Sequence, residues 1–272
     1  MSYKSILVNL DVDGPVVPLL KLAVDLAARF EARLIGFSAA DARLPIIGPE
    51  NGAIAAEVWA QERDDIDRRL KELHAEFDSV AASSPDAEWR QMTGDPTRSL
   101  ATAARLADLV VTAARNGAST GDAYRFADPG SLVLQAGRPV LVAAEGAAHL
   151  PAKKVVIAWK DAREARRAVA DAVPLLLSAD EVTVVTVDSD AREDRAGVAD
   201  VAAFLLRHGI KVRTEAVTAK DEMARLGEFI SACQADLVVS GAFGHSRLRE
   251  WVFGGVTRSL LDETGLNRFM AS

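Results

Sequence analysis

The chain has 272 residues and a formal net charge of −7, and 49% of its residues are hydrophobic against 26% charged. Acidic and basic residues are interspersed, which excludes a basic surface for nucleic acid, and no apolar run reaches the roughly 18 residues that a membrane span requires. With no signal peptide visible and Cys233 as the single cysteine, we expect a cytoplasmic protein without a disulfide.

The first half of the sequence alternates short apolar runs with longer amphipathic segments. The apolar runs are typical of buried strands, and the segments in which apolar residues recur every three or four positions are typical of helices. Glycine and proline separate the two kinds of segment. In chain order, strands are predicted at 6–10, 33–38, 89–93, 109–113 and 139–143, and helices at 18–30, 53–82, 96–106 and 129–136.

The second half repeats this order. Strands are predicted at 155–159, 182–187, 211–218 and 237–240, and helices at 163–177, 196–208, 222–234 and 256–263. A last strand is expected near the end of the chain. The second half ends with Asn267-Arg-Phe-Met-Ala-Ser272, where the first half has Arg138-Pro-Val-Leu-Val-Ala143, so we expect that strand to be short or irregular.

The two halves also share sequence. The segment Ala-Asp-Leu-Val-Val-Thr at 107–112 recurs as Ala-Asp-Leu-Val-Val-Ser at 235–240. Self-similarity at such a long period indicates a duplicated domain. We predict domains at 1–145 and 152–272 that pack about a pseudo-twofold axis, each with a parallel sheet covered by helices on both faces.

Several glycines follow the strand predicted at 237–240 in the sequence. Gly241 and Gly244 are followed, after nine residues, by Gly254, which is adjacent to Gly255 and precedes Val256 and Thr257. Glycine lets a backbone turn its N–H groups toward an anion at a helix N-terminus. Ligands of parallel sheets bind at the carboxyl ends of the strands, so the other candidate residues at this edge are Trp159, Lys160, Asp161 and Val187.

These motifs resemble those of the universal stress proteins. The resemblance rests on Gly241, Gly244 and Gly254 at the family's spacing, on the segment Ala-Trp-Lys-Asp-Ala-Arg at 158–163, and on Val256 and Thr257. It covers nearly the whole chain and looks like the tandem bacterial members. It implies two adenine-nucleotide α-hydrolase-like (Rossmann-like) domains of five strands, a role in the stress response, and ATP with Mg²⁺ as a regulatory ligand.

Two residues of the second half depart from the family pattern. Gly255 stands where nucleotide-binding members have a hydroxyl residue. Lys160 stands where they have an acidic residue, and Asp161 follows one position later. Two interpretations of Lys160 stay open: it weakens binding of the nucleoside, or it reaches a phosphate. Trp159 likewise either stacks on a base or packs against the adjacent helix.

The first half keeps an acidic residue, Asp11, but lacks the glycines. Ala113, Asn116 and Ala127 align with Gly241, Gly244 and Gly254, and Asp128 aligns with Gly255. A carboxylate at about 4 Å from a phosphate charge costs about 4 kcal/mol at an effective dielectric constant of about 20. We therefore expect an adenine nucleotide in the second half only.

The sequence shows no constellation of catalytic residues and no metal-ligand spacing, so neither a catalytic nor a metal-binding residue is predicted. We expect a binding protein, with slow ATP hydrolysis at most. The alternative is a structural or signalling module that has lost the nucleotide and acts through protein contacts. The two halves are expected to form an intramolecular pseudo-dimer, and association into a homodimer is left open.

Overall fold

The computed structural model describes residues 2–14, 16–43, 52–114, 122–188, 195–242 and 255–272. Within these ranges the chain forms ten strands in one sheet, with the order β3-β2-β1-β4-β5-β10-β9-β6-β7-β8. The strands are β1 Ser5–Asn9, β2 Arg33–Ala40, β3 Ala87–Thr93, β4 Leu109–Ala113, β5 Val140–Ala143, β6 Lys154–Ala158, β7 Glu181–Asp188, β8 Arg213–Thr218, β9 Leu237–Gly241 and β10 Asn267–Ala271.

Helices cover both faces of this sheet, because parallel neighbouring strands need crossover connections. On one face, α1, α2, α5 and α6 enclose a core with β1 and β6, and on the other face lie α3, α4, α7 and α8. The helices are α1 Val17–Phe30, α2 Gly52–Val80, α3 Pro96–Ala103, α4 Pro129–Gln135, α5 Arg163–Leu176, α6 Arg195–Arg207, α7 Glu222–Ala232 and α8 Gly255–Asp262.

Three of the helices begin at an aspartate whose side chain caps the first turn. Asp95, Asp128 and Asp221 accept hydrogen bonds from the backbone N–H three residues later, at 2.7, 2.7 and 3.0 Å. Each bond satisfies one of the N–H groups that a helix leaves free at its start. The sequence therefore fixes the starts of α3, α4 and α7 locally, close to the predicted positions.

The strand order reads the same from either edge, which confirms the predicted pseudo-twofold arrangement of two five-stranded halves. At its centre β5 pairs antiparallel with β10, with Leu141 opposite Phe269, while all other neighbours in the sheet are parallel. Because the ten strands are continuous, the division into domains at 1–145 and 152–272 stays a prediction.

The expectation of a short or irregular last strand is wrong. β10 is a regular strand of five buried residues, one residue longer than β5, and pairs on both sides. Its polar residues find partners inside the protein. The Asn267 side chain accepts a hydrogen bond from Ala144 N–H and donates one to the carbonyl of Asp236, both at 2.9 Å. These bonds compensate the burial of an amide at the junction of the halves.

Side chains of α1 and of the segment before β1 form hydrogen bonds with the second half and with the linker that precedes it. The Tyr3 hydroxyl donates to the backbone carbonyl of Asp171 in α5 at 2.7 Å, and burial raises the pKa of this phenol well above its usual value. Arg29 bonds to Ser178 and to the Leu150 carbonyl. Contacts between the halves thus extend beyond the β5–β10 pair.

In the part of the chain that the structure describes, no helix is both long and apolar enough to cross a membrane.

Candidate functional site

The second half has a crevice at the point where its strand order reverses. β6 lies between β9 and β7, and the chain leaves β6 toward α5 on one face and β9 toward α8 on the other. Connections that depart to opposite faces leave room for a ligand between them. The candidate residues 159–161, Val187 and Gly241 all lie at or just beyond the ends of these strands.

Lys160 and Asp161 form exposed ion pairs at this edge. The Lys160 ammonium lies 3.9 Å from the Glu222 carboxylate at the start of α7, and 55% of the lysine side chain is exposed. Asp161 accepts hydrogen bonds from two nitrogens of the Arg166 guanidinium at 3.0 and 2.9 Å. The carboxylate that stands one position after Lys160 is therefore held toward α5, whereas the pairing of Lys160 itself is loose.

Trp159 is buried beneath the first turn of α6, with 5% of its surface exposed. A Cβ added to Gly197 would lie 3.2 Å from the indole nitrogen of Trp159. The sequence predicts that Trp159 either stacks on a base or packs against a helix, and in the structure it packs against α6. Among the described residues the indole N–H has no hydrogen-bond partner.

Gly241 is in close contact with the N-terminus of α5. A Cβ at this position would lie 2.5 Å from the backbone nitrogen of Ala165 and 2.8 Å from the carbonyl carbon of Glu164. Real Cβ atoms do not approach a backbone so closely, so only glycine fits. The packing of α5 on β9 therefore accounts for this glycine without any ligand.

The remaining residues of the glycine motif lie at and before α8. Gly255 and Val256 open α8, and Thr257 in its first turn is buried. Gly244 and Gly254 lie outside the described residues. Val187 is half-buried near the end of β7. The described candidate residues thus lie at the ends of β6, β7 and β9 and at the start of α8, and their role as a binding site stays a prediction.

In the first half, the backbone N–H at the position that aligns with Gly254 donates a hydrogen bond to a carboxylate of the protein itself. Asp11 is buried, and its Oδ1 accepts hydrogen bonds from Ala127 N–H and from the Asn9 amide, both at 2.9 Å. Ala127 is the counterpart of Gly254 in the alignment of the halves. Asp11, which resembles the acidic residue near the nucleoside in the family, therefore holds the loop before α4 by a hydrogen bond. The backbone N–H of Ala127 is then not free to bind a ligand.

Other side chains hold the same loop. Asp128 caps α4, and its own N–H donates to the Thr97 hydroxyl at 2.9 Å. Arg125 forms a two-nitrogen pair with Asp13 and lowers the pKa of that carboxyl. Among the described residues of this loop, the guanidinium of Arg125 and the backbone N–H groups of Ala127 and Asp128 are thus engaged within the protein.

A cavity of about 260 Å³ lies beside this closed loop, between the N-terminus of α1, the ends of β1 and β4, and residues 144–147. Its lining includes Asp11, Asp13 and Glu145, and none of the described residues that line it is a lysine, arginine or histidine. Because side chains that bind phosphate in proteins are usually such cations, the described side chains of this cavity do not favour a polyphosphate.

Sequence reasoning missed one residue, Arg268 in β10. Its guanidinium is fully buried, and Nη1 donates to the carbonyls of Leu260 and Leu261 at 2.6 and 3.0 Å. Nε and Nη2 have no acceptor among the residues that the structure describes. Burial lowers the pKa of Arg268 to about 10, against the opposing charges of Glu263 and Asp262, so the group stays charged at neutral pH. The signal in the sequence is an arginine immediately before the apolar residues Phe269 and Met270 of a predicted strand.

Over the ranges given above, no three histidine, cysteine, aspartate or glutamate side chains come together in a way that could hold a metal ion.

The sheet, its crossovers and the two edge crevices define a doubly wound α/β protein built from two similar halves. No family model matches the sequence, and a search of curated proteins finds no match. Among solved structures, a universal stress protein from Archaeoglobus fulgidus is similar with a TM-score of 0.75 at 15% identity, over 98% of this chain and 96% of that one. A functionally unknown protein from Pseudomonas aeruginosa, PA1789, is similar with a TM-score of 0.60 at 16% identity, over 99% and 92% of the two chains.

The chain thus has the fold of the tandem universal stress proteins, which confirms the resemblance at the level of the fold.

Proposed function

We propose that this chain is a cytoplasmic universal stress protein that binds one adenine nucleotide, ATP with Mg²⁺, in its second half as a regulatory ligand. The observation that carries the proposal is the difference between the two crevices. In the first half Asp11 closes the loop at Ala127, whereas the second half has Lys160 at the position of Asp11 and a glycine run before α8.

The residues at the second crevice fit a nucleotide at its phosphate end. Lys160 makes only a 3.9 Å pair, and the side chain of Arg163 at the start of α5 is 84% exposed, so both can turn toward an anion. The N-terminus of α8 adds backbone donors. When bound, Mg²⁺ would neutralise part of the phosphate charge. The buried carboxylate of Glu164, one of whose oxygens has no partner, opposes an anion nearby.

Calorimetric titration with ATP and Mg²⁺ tests this proposal. We expect about one site per chain, lost in Gly244→Glu, because a glutamate side chain in the glycine run adds both bulk and negative charge next to the phosphates. The matched control is Asn116→Glu, the same change at the aligned position of the first half, which should leave the affinity unchanged. Two equal sites, or loss of binding in the control alone, would contradict the assignment.

We further propose that the protein is a binder and not an efficient enzyme. Phosphoryl transfer needs an oriented nucleophile together with cationic stabilisation of the transferring group. Among the described charges at this crevice, Lys160 and Asp161 pair with Glu222 and Arg166, and the remaining carboxylate, Glu164, is buried and oriented by no described histidine or lysine. A phosphate-release assay should give a turnover far below about 1 s⁻¹, the lower limit for typical kinases. A faster rate that disappears in Gly244→Glu would overturn this expectation.

A module that acts through protein contacts is the second candidate. It is favoured by the packing of Gly241 against α5 and of Trp159 beneath α6, since both residues have a structural reason to be there. A titration without measurable heat, in protein shown to be folded, would favour this candidate over the first.

A further inference from the structure

Arg268 has two features that the fold alone does not explain. It lies fully buried at the centre of the ten-stranded sheet, and among the described residues its hydrogen-bond acceptors are the carbonyls of Leu260 and Leu261 at the end of α8. In the described part of the chain, two of its three nitrogens have no acceptor. A buried guanidinium with neutral and incomplete partners is an unfavourable way to fill a core, because an apolar side chain of similar length is often at least as stable.

The first half fills the equivalent position differently. In the register of the sheet, Arg268 pairs with Val238 as Val140 pairs with Val110, and Val238 and Val110 are counterparts in the internal repeat. Val140 is buried beside α4, as Arg268 is beside α8. The same fold therefore accepts a valine here, and the arginine occurs only in the half whose loop keeps its glycines.

The contacts of Arg268 fix one end of α8. The last carbonyls of a helix have no partner within the helix, and a cation there interacts favourably with the helix dipole. β10 is paired on both sides, so the backbone that carries the guanidinium is held by β5 and β9. α8 has only eight residues, and because it connects the parallel strands β9 and β10, its start at Gly255 lies at the edge where β9 ends.

We propose that Arg268 is a positioning residue that clamps the C-terminal end of α8 from inside the sheet and thereby holds the N-terminal end of this helix at the second crevice. The clamp on α8 follows from the contacts of the arginine. Its effect on a bound nucleotide rests, in addition, on the proposed function.

Arg268→Met and Arg268→Lys test the clamp in the full-length chain. Met fills a similar space without charge or donors, and Lys keeps the charge with fewer donors. Amide hydrogen exchange should become at least about tenfold faster in residues 258–262 of Arg268→Met, as expected when an ordinary hydrogen bond is lost, with a smaller increase in Arg268→Lys. The midpoint of denaturant unfolding should stay the same or rise. Val140→Met, the same new side chain at the equivalent register of the first half, should leave exchange in α8 unchanged.

The affinity for ATP and Mg²⁺ is measured on the same samples. About tenfold weaker binding by Arg268→Met, at unchanged unfolding midpoint, supports the positioning role, because a purely structural residue would lower stability first. Faster exchange with unchanged affinity removes the role at the crevice. Unchanged exchange in α8 contradicts the clamp, whether or not the affinity for ATP changes.

If the wild type binds no ATP while exchange in α8 responds as expected, the proposed function is wrong and the clamp is still supported. Should Arg268→Met not fold cooperatively, Arg268→Lys decides by the same two measurements.

Discussion

Replacing Gly241 with alanine is expected to destabilise the protein by about 3 kcal/mol, at the upper end of what overpacking usually costs. The new Cβ would meet the backbone of α5 at 2.5 Å, and a helix N-terminus cannot move aside as a flexible side chain can. Relief of the clash requires α5 to shift away from β9, which would open the core that the two elements share.

Denaturant unfolding at equilibrium measures this effect. Ala113→Gly, the reverse change at the aligned position of the first half, is the control and should cost at most about 1 kcal/mol, the usual effect of glycine within a strand. An unchanged midpoint for Gly241→Ala would show that α5 does not pack as described. Because this variant changes the fold, its loss of ligand binding would carry no information about phosphate recognition, and for that reason Gly244 serves in the titration.

Truncation of Phe269 to alanine should destabilise the whole chain, by about 3–5 kcal/mol, in a single transition. Phe269 is fully buried in β10 opposite Leu141 of β5, at the junction of the two halves. A cavity at this place weakens the contact that makes the sheet continuous, so both halves lose support together.

Hydrogen exchange in β1 and in β6 reports on the two halves separately during unfolding. Coincident transitions at a lower denaturant concentration agree with one cooperative sheet. A biphasic transition, in which β1 stays protected after β6 has exchanged, would mean that the halves unfold independently. Leu177→Ala, at a site that is about half exposed, is the control and should change the stability by less than about 0.5 kcal/mol.

Local signals in the sequence predict most of the fold. The apolar runs around Val110 and Val238 predict the equivalent strands β4 and β9, and the capping aspartates predict helix starts. The repeated segment predicts that the two halves have the same order of elements. These features depend on side-chain period and on hydrogen bonds within a few residues, which a sequence displays directly.

The parts that the sequence does not reveal depend on contacts between distant segments. Trp159 is buried close to Gly197 of α6, and the need for glycine at 241 arises from the approach of α5. The polar start of β10 predicts an irregular strand until the partners of Asn267 and Arg268 are known. At the candidate site, the closing of the first half by Asp11 depends on a hydrogen bond to a residue 116 positions away.

The antiparallel pairing of β5 with β10 joins the halves within a single polypeptide. Two separate identical subunits would carry the same residue at each crevice, so neither could lose a ligand site without the other, and their association would weaken on dilution. Here the partner is covalently attached, so the pairing persists at any protein concentration. The residues at one crevice can therefore differ from those at the other, as Asp128 differs from Gly255.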